Sequence, residues 1–97
     1  MRHVNNNNPV LLIKKASKDS LFDFLHEGHL QKGNALQLMG NNALALESYF
    51  LSLKYADRMG DEGSKGGVLL AIAGTYTAME NNDIAKNYFN RGIQLLR

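Results

Sequence analysis

Two histidines near the start of the chain are the residues best suited to metal chemistry. His26 and His29 lie three positions apart, with Glu27 between them. On a helix, side chains at this spacing share a face, so the two imidazoles could bind one Zn²⁺ ion. A zinc site needs further ligands, and no other Asp, Glu or His is marked as one by its spacing. The pattern favours ordinary helix-surface histidines, and we predict no metal site.

Groups that could perform catalysis are also sparse. No serine lies in a glycine-flanked nucleophile turn, and the chain has no cysteine to serve as a nucleophile or thiolate ligand. The stretch "GSKGG" at residues 63–67 has the glycines and lysine of a phosphate-binding loop but follows no predicted strand. We interpret it as a linker. The chain is therefore predicted to have no catalytic activity, no cofactor and no small-molecule substrate.

The charge and hydropathy patterns argue against two further classes of partner. The net charge is only +2, and the basic residues near the start, Arg2, Lys14, Lys15 and Lys18, have no aromatic residues among them to stack on bases. A nucleic-acid-associated regulator is thus the least favoured alternative. The longest apolar run, "VLLI" at residues 10–13, is far below the roughly twenty residues that span a bilayer. We predict a cytoplasmic protein with no nucleic-acid or membrane partner.

The spacing of apolar residues predicts helices along most of the chain. Residues 1–8 are polar and asparagine-rich, and Pro9 disfavours helical geometry just before it, so they are predicted to form a flexible tail. Beyond the tail we predict, in order, a short helix over 9–16, a long helix over about 19–39 capped by Ser17 or Asp19, a helix from about Asn42 to Met59, a glycine-rich turn over 60–67, and two further helices separated by "ENND". No strand pattern of useful length appears. The prediction is one all-α domain over residues 9–97.

Two stretches of the chain match each other at an offset of forty residues. The matched pairs are Gly33 with Ala73, Leu36 with Tyr76, Ala45 with Ala85, Tyr49 with Phe89, Ser52 with Gly92, and Leu53 with Ile93. Two helices approach closely only where one offers a small side chain, and a large side chain one turn away fills the adjacent groove. The pattern predicts helical hairpins that stack on each other. A bundle without repeats is the alternative, since it would also have apolar stripes.

This arrangement resembles the tetratricopeptide repeat family, in which a small residue and an aromatic precede a tight turn, followed by alanine, an aromatic and another small residue. The first copy reads Gly33, Leu36, "GNN", Ala45, Tyr49 and Ser52, and the second reads Ala73, Tyr76, "ENND", Ala85, Phe89 and Gly92. The resemblance implies a short α-solenoid of antiparallel hairpins, with two repeats over about 26–59 and 66–97 and an N-terminal helical segment.

The first copy departs from the family pattern more than the second. Leu36 replaces an aromatic, His29 and Lys32 stand at usually apolar positions, and Asp57 stands where a proline is usual. The period also exceeds the family's 34 residues by about six, and we expect the extra residues around "RMGDEGSKGG". Long repeats with "MGD" between hairpins are similar to those of signalling members of the family.

The resemblance implies that the first helix of each hairpin lines a concave groove. The partner-binding residues carried over by position are Glu27, Leu30, Gln31, Asn34, Gln37, Leu38, Leu70, Ala71, Gly74, Thr77 and Ala78. Members that hold a C-terminal carboxylate use paired polar residues on this face. Here Asn34 remains, but Leu30 and Ala71 replace the polar partners, so we predict a groove for a protein or peptide without a carboxylate clamp.

The last hairpin ends without a further helix to cover it, and stacked repeats normally cover each other's apolar faces. We predict self-association through Ile93, Leu95 and Leu96. Two functions follow. In the first, the chain is a non-catalytic interaction module within a larger signalling or regulatory protein; in the alternative, it is a homo-oligomerisation module, for example a homodimer.

Overall fold

The computed structural model describes the backbone of residues 9–97 and the side chains of residues 17–97. It contains the helices α1 (Pro9–Leu38), α2 (Asn42–Met59), α3 (Glu62–Ala78) and α4 (Asn82–Leu96). No strand occurs over residues 9–97, so the predicted all-α fold is confirmed. The predicted flexible tail over 1–8 lies outside the described residues, as do the side chains of the apolar run at 10–13.

The first helix is continuous, and the prediction of a separate short helix over 9–16 was wrong. α1 passes through Ser17 and Asp19 without a break, and both side chains are exposed along its length. A capping residue starts a helix only where the preceding backbone leaves helical geometry. Pro9 is the only proline in the chain and stands at the first position of α1, where a proline is tolerated. Nothing after it forces the backbone out of the helix.

All three turns between helices have the same backbone conformation. Gly40, Gly60 and Glu80 follow one another at intervals of twenty residues, and each has a positive φ, of 79°, 69° and 61° respectively. After the first helix, the Asn41 N–H donates to the Leu36 carbonyl at 2.9 Å and the Gly40 N–H donates to the Gln37 carbonyl at 2.9 Å. Equivalent bonds close the other two turns. This is the Schellman arrangement, which satisfies the free carbonyls at a helix end.

The residue after each left-handed position is the N-cap of the next helix, and two of these three residues form side-chain capping bonds. Asn41 and Asp61 accept hydrogen bonds from the backbone N–H groups of Leu44 and Ser64, at 3.3 and 3.1 Å. Asp61 also accepts from the Ser64 hydroxyl at 3.0 Å. These two bonds stabilise the carboxylate and lower the pKa of Asp61 below its ordinary value. Each turn is therefore only a few residues long, which forces consecutive helices to run antiparallel.

The glycine-rich stretch "GDEGSKGG" is not a turn, contrary to the sequence prediction. Only Gly60 and Asp61 lie between α2 and α3, and residues 63–67 are helical. A Cβ atom on Gly66 would lie 2.8 Å from Leu96 Cγ and 3.0 Å from the Gly92 carbonyl oxygen. Gly66 is therefore needed for close approach of α3 to α4, and this packing outweighs the cost of about 1 kcal/mol that a glycine imposes on a helix.

The helices form two antiparallel hairpins, α1 with α2 and α3 with α4, which stack through α2 and α3. The centre of the core consists of Ala45 and Tyr49 from α2 and Val68 and Ile72 from α3, all with no exposed surface. The molecule measures 59 × 25 × 14 Å. A body so thin has one layer of hairpins, and α1 and α3 run side by side on one face of it, where the sequence predicts the groove.

Candidate interaction surfaces

The predicted groove residues lie on α1 and α3, but they differ in how accessible they are. Exposed members are Glu27, Gln31, Leu38, Gly74, Thr77 and Ala78; partly buried members are Leu30, Asn34, Gln37, Leu70 and Ala71. Leu30 and Ala71 also pack against the core, so each has a structural role as well. Leu38 is 90% exposed and is the most exposed large apolar side chain over residues 17–97. The binding of a partner by these groove residues stays a prediction.

Two groove amides share one buried partner. The Tyr49 hydroxyl lies 2.7 Å from Asn34 Oδ1 and 2.9 Å from Gln37 Oε1. Burial raises the pKa of Tyr49, so the hydroxyl keeps its proton at neutral pH and donates it to one carbonyl oxygen at a time. The amide that receives this proton is held by its oxygen, so its –NH₂ group remains as a donor. The family resemblance placed Asn34 and Gln37 in the groove, but no sequence pattern indicated their hydrogen bonds to Tyr49.

The α3 side of the groove is lined with small residues. A Cβ atom added to Gly74 would lie 3.7 Å from Gln37 Nε2, so the end of the Gln37 side chain reaches across to α3. Ala71, Thr77 and Ala78 complete this side with short side chains. The predicted groove thus has mostly small side chains on α3, amide groups on α1, and Glu27 as the one charged residue in the predicted set.

The two histidines face different partners and do not form a shared metal site. His26 is 3% exposed and lies between α1 and α2. The Ser52 hydroxyl donates to the His26 backbone carbonyl at 2.8 Å, so it accepts from the imidazole Nδ1–H, also at 2.8 Å. His29 stacks on Tyr55 with ring centroids 5.9 Å apart. Over residues 17–97, no group of three potential ligands is placed to hold a metal ion.

The residues predicted to mediate self-association occupy three different settings on α4. Ile93 is partly buried, while Leu95 lines a cleft of about 550 Å³ between α2, α3 and α4. Leu96 is 47% exposed, yet its Cγ lies against Gly66, so part of this side chain closes the second hairpin. Self-association through these residues stays a prediction.

A depression of about 420 Å³ lies between α3 and α4 and was not predicted as a separate feature. We call this surface the outer face of the second hairpin. Its lining residues are Leu70, Ala73, Gly74, Thr77, Asn82, Ala85, Lys86 and Phe89. The Phe89 ring is 51% exposed there. The sequence match pairs Phe89 with Tyr49, but it does not show that Phe89 is uncovered while Tyr49 has no exposed surface.

No helix within residues 9–97 combines the length and the apolar character needed to cross a membrane. Comparison of the chain with protein-family models, with curated proteins and with solved structures finds no match. The family resemblance therefore remains a hypothesis based on the repeat pattern, and functional reasoning depends on the surfaces themselves.

Proposed function

We propose that the chain is a non-catalytic interaction module whose face between α1 and α3 binds an extended peptide segment of a partner protein. The observation that carries the proposal is the fixing of Asn34 and Gln37 by the Tyr49 hydroxyl. Whichever amide oxygen accepts from the Tyr49 hydroxyl, the –NH₂ group of that side chain is oriented before a ligand arrives, which reduces the entropy lost on binding.

An extended peptide suits this face for two reasons. Its backbone has a carbonyl acceptor at every residue, and the amide groups of Asn34 and Gln37 can donate to such acceptors. The short, exposed side chains of Thr77 and Ala78 leave room for a backbone to approach α3. Because the face has little charge, we expect affinity to change little between low and physiological salt. The resemblance to long signalling-type repeats supports a role in a cytoplasmic signalling or regulatory assembly.

The test removes the amide donor of Asn34 but keeps an oxygen that accepts from the Tyr49 hydroxyl. Asn34→Asp keeps an oxygen for the Tyr49 hydroxyl but removes the –NH₂ group. Peptides are first selected on the wild-type chain from a library of random 12-residue sequences, and their affinities are then measured by calorimetry. We expect Asn34→Asp to weaken binding about tenfold, because a lost hydrogen bond beside a partly buried site costs about 1–2 kcal/mol.

The matched control is Asn90→Asp, which makes the same chemical change at an exposed position on α4. It should leave the affinity unchanged. Nuclear magnetic resonance provides a direct readout, because the side-chain amide signals of Asn34 and Gln37 should shift on binding while that of Asn90 stays in place. Selection of no peptide, or equal affinity for the two variants, would show that this face is not the binding site.

A further inference from the structure

The outer face of the second hairpin repeats a surface that is already occupied elsewhere in the molecule. Subtracting forty from the number of each outer-face residue gives the corresponding set on the first hairpin: Leu30, Gly33, Asn34, Gln37, Asn42, Ala45, Leu46 and Tyr49. On the first hairpin, α3 covers this set by placing Val68 and Ile72 against Ala45 and Tyr49. The same register on the second hairpin has no helix over it within residues 9–97.

The two sets differ mainly in how much of them is covered. Ala45 and Tyr49 have no exposed surface, whereas Ala85 is 6% exposed and Phe89 is 51% exposed. Both sets present a small residue from each helix and a large aromatic beside them. The outer face thus has the dimensions and composition of a helix-binding site, because an equivalent surface in this chain does bind a helix.

From this equivalence we propose that the outer face binds an amphipathic helix of a partner protein. The helix would have branched aliphatic residues four positions apart, as Val68 and Ile72 are on α3. One difference defines the partner further: Lys86 stands where the first hairpin has Leu46. An exposed ammonium at the edge of an apolar site favours a carboxylate on the bound helix, through charge complementarity.

A second copy of the chain fits the outer face less well than an amphipathic helix of a partner protein. The α1 helix of a second copy would present Gly28 and Lys32 at the positions that correspond to Val68 and Ile72. Gly28 offers no side chain to the apolar site, and Lys32 would have to bury its ammonium beside Lys86, which carries the same charge. Burial of an unpaired charge is costly, so stacking in this register is disfavoured.

The binding experiment uses the full chain and a fluorescein-labelled peptide with the sequence of residues 61–80 as probe. Gly63→Glu and Gly67→Glu in the peptide raise its helicity. Lys65 contacts Asp57, and Val68 and Ile72 pack with Ala45 and Tyr49, so the antiparallel register puts residue 75 opposite Leu46; Thr75→Glu in the peptide therefore supplies the carboxylate for Lys86. We expect concentration-dependent fluorescence anisotropy with the wild-type chain. Phe89→Lys should weaken the affinity at least tenfold, and Lys86→Glu several-fold. A peptide that also carries Val68→Asp and Ile72→Asp should not bind.

Phe24→Lys is the matched control, because Phe24 is 72% exposed on α1 and lies outside the outer face. It should bind the probe as the wild type does. Circular dichroism on all variants establishes that they are folded, and Lys86→Glu supplies a second test because Lys86 is exposed and its replacement should not disturb the core.

Three results would overturn the proposal. The first is absence of binding. The second is binding that Phe89→Lys leaves unchanged, which would mean that the probe replaces α3 inside the chain. The third is a dimer in the absence of probe that Phe89→Lys converts to a monomer in light scattering, which would assign the outer face to a second copy. The peptides selected on the α1–α3 groove should bind Phe89→Lys normally, so this proposal and the proposed function can fail independently.

Discussion

The two hairpins solve the same packing problem with different chemistry at the same position. His26 and Ser52 in the first hairpin correspond, forty residues on, to Gly66 and Gly92 in the second. The first pair is buried and joined by hydrogen bonds from Ser52 to the His26 carbonyl and from the imidazole to Ser52. The second pair consists of two buried glycines whose backbones nearly touch.

Each solution has its own cost. Burial of an imidazole and a hydroxyl is tolerable because each forms a hydrogen bond with the other or with the backbone. Two glycines within helices cost about 1 kcal/mol each, and close packing of α3 against α4 offsets that cost. The repeat therefore specifies a close approach of two helices, which can be filled by hydrogen-bonded polar side chains or by glycines that have no side chain.

The largest expected effect concerns the corresponding aromatic residues of the two hairpins, Tyr49 and Phe89. Tyr49→Ala removes a ring that has no exposed surface, whereas Phe89→Ala removes one that is 51% exposed. We expect Tyr49→Ala to lower the free energy of unfolding by about 3–5 kcal/mol, as for other buried aromatics. Phe89→Ala should cost about 1 kcal/mol, since burial stabilises only the covered part of the ring.

Urea denaturation followed by circular dichroism measures both variants. For a chain of this size the larger loss approaches the whole stability, so Tyr49→Ala can appear as loss of helicity in the absence of urea. Equal losses in the two variants would contradict the comparison, because they would mean that the outer face is covered in solution.

An intermediate effect is expected from the hydrogen-bonded pair. Ser52→Ala leaves the imidazole Nδ1–H and the His26 carbonyl without the serine partner, and should cost about 1–3 kcal/mol. Ser48→Ala is the control on the same helix: Ser48 is 4% exposed, but its hydroxyl makes no hydrogen bond with residues 17–97. That variant should be close to neutral in the same denaturation experiment.

Replacement of Gly92 by the serine of the first hairpin tests whether α3 and α4 can separate at this contact. A Cβ atom on Gly92 would lie 2.9 Å from Leu70 Cδ2 and 3.0 Å from the Gly66 carbonyl oxygen. Gly92→Ser therefore introduces the first hairpin's residue where there is no room for it, and should cost about 1–3 kcal/mol despite its better helix propensity. A stabilised Gly92→Ser variant would show that the two helices are free to separate there.

Much of the fold was predictable because the signals were local or periodic. Apolar spacing predicted the helices, and the forty-residue match predicted the hairpins that stack on each other. The glycine-rich stretch misled the prediction because composition alone does not distinguish a glycine needed for chain reversal from one needed for close helix contact. Gly60 belongs to the first kind and Gly66 to the second.

The candidate sites were less predictable, since they depend on which side chains meet across helices. The interpretation of His26 and His29 as surface residues was wrong for His26, because its partner Ser52 lies 26 residues away in the chain. Similarly, the link between Tyr49 and the two groove amides depends on the crossing of α1 and α2. The exposure of Phe89 could not be inferred from its residue type, because phenylalanine is usually buried in a protein core.

The smallest expected effect concerns the three turns. Glu80 adopts the left-handed conformation, with φ of 61°, that Gly40 and Gly60 adopt in the other two turns. A side chain is disfavoured in this conformation because its Cβ atom crowds the following carbonyl oxygen. Glu80→Gly should therefore raise the free energy of unfolding by about 0.5–1 kcal/mol, with the greater entropy of glycine in the unfolded chain limiting the gain.

Two further variants separate backbone strain from other contributions of Glu80. Glu80→Ala removes the carboxylate but keeps the Cβ atom, so it should not reproduce the gain if strain is the cause. Gly40→Ala makes the opposite change at φ of 79°, where nothing lies within 4 Å of the added Cβ atom, and should cost about 1 kcal/mol from backbone strain alone. If Glu80→Ala stabilises the chain as much as Glu80→Gly does, the carboxylate beside the C-terminal end of α3 is the unfavourable group and the backbone is not strained.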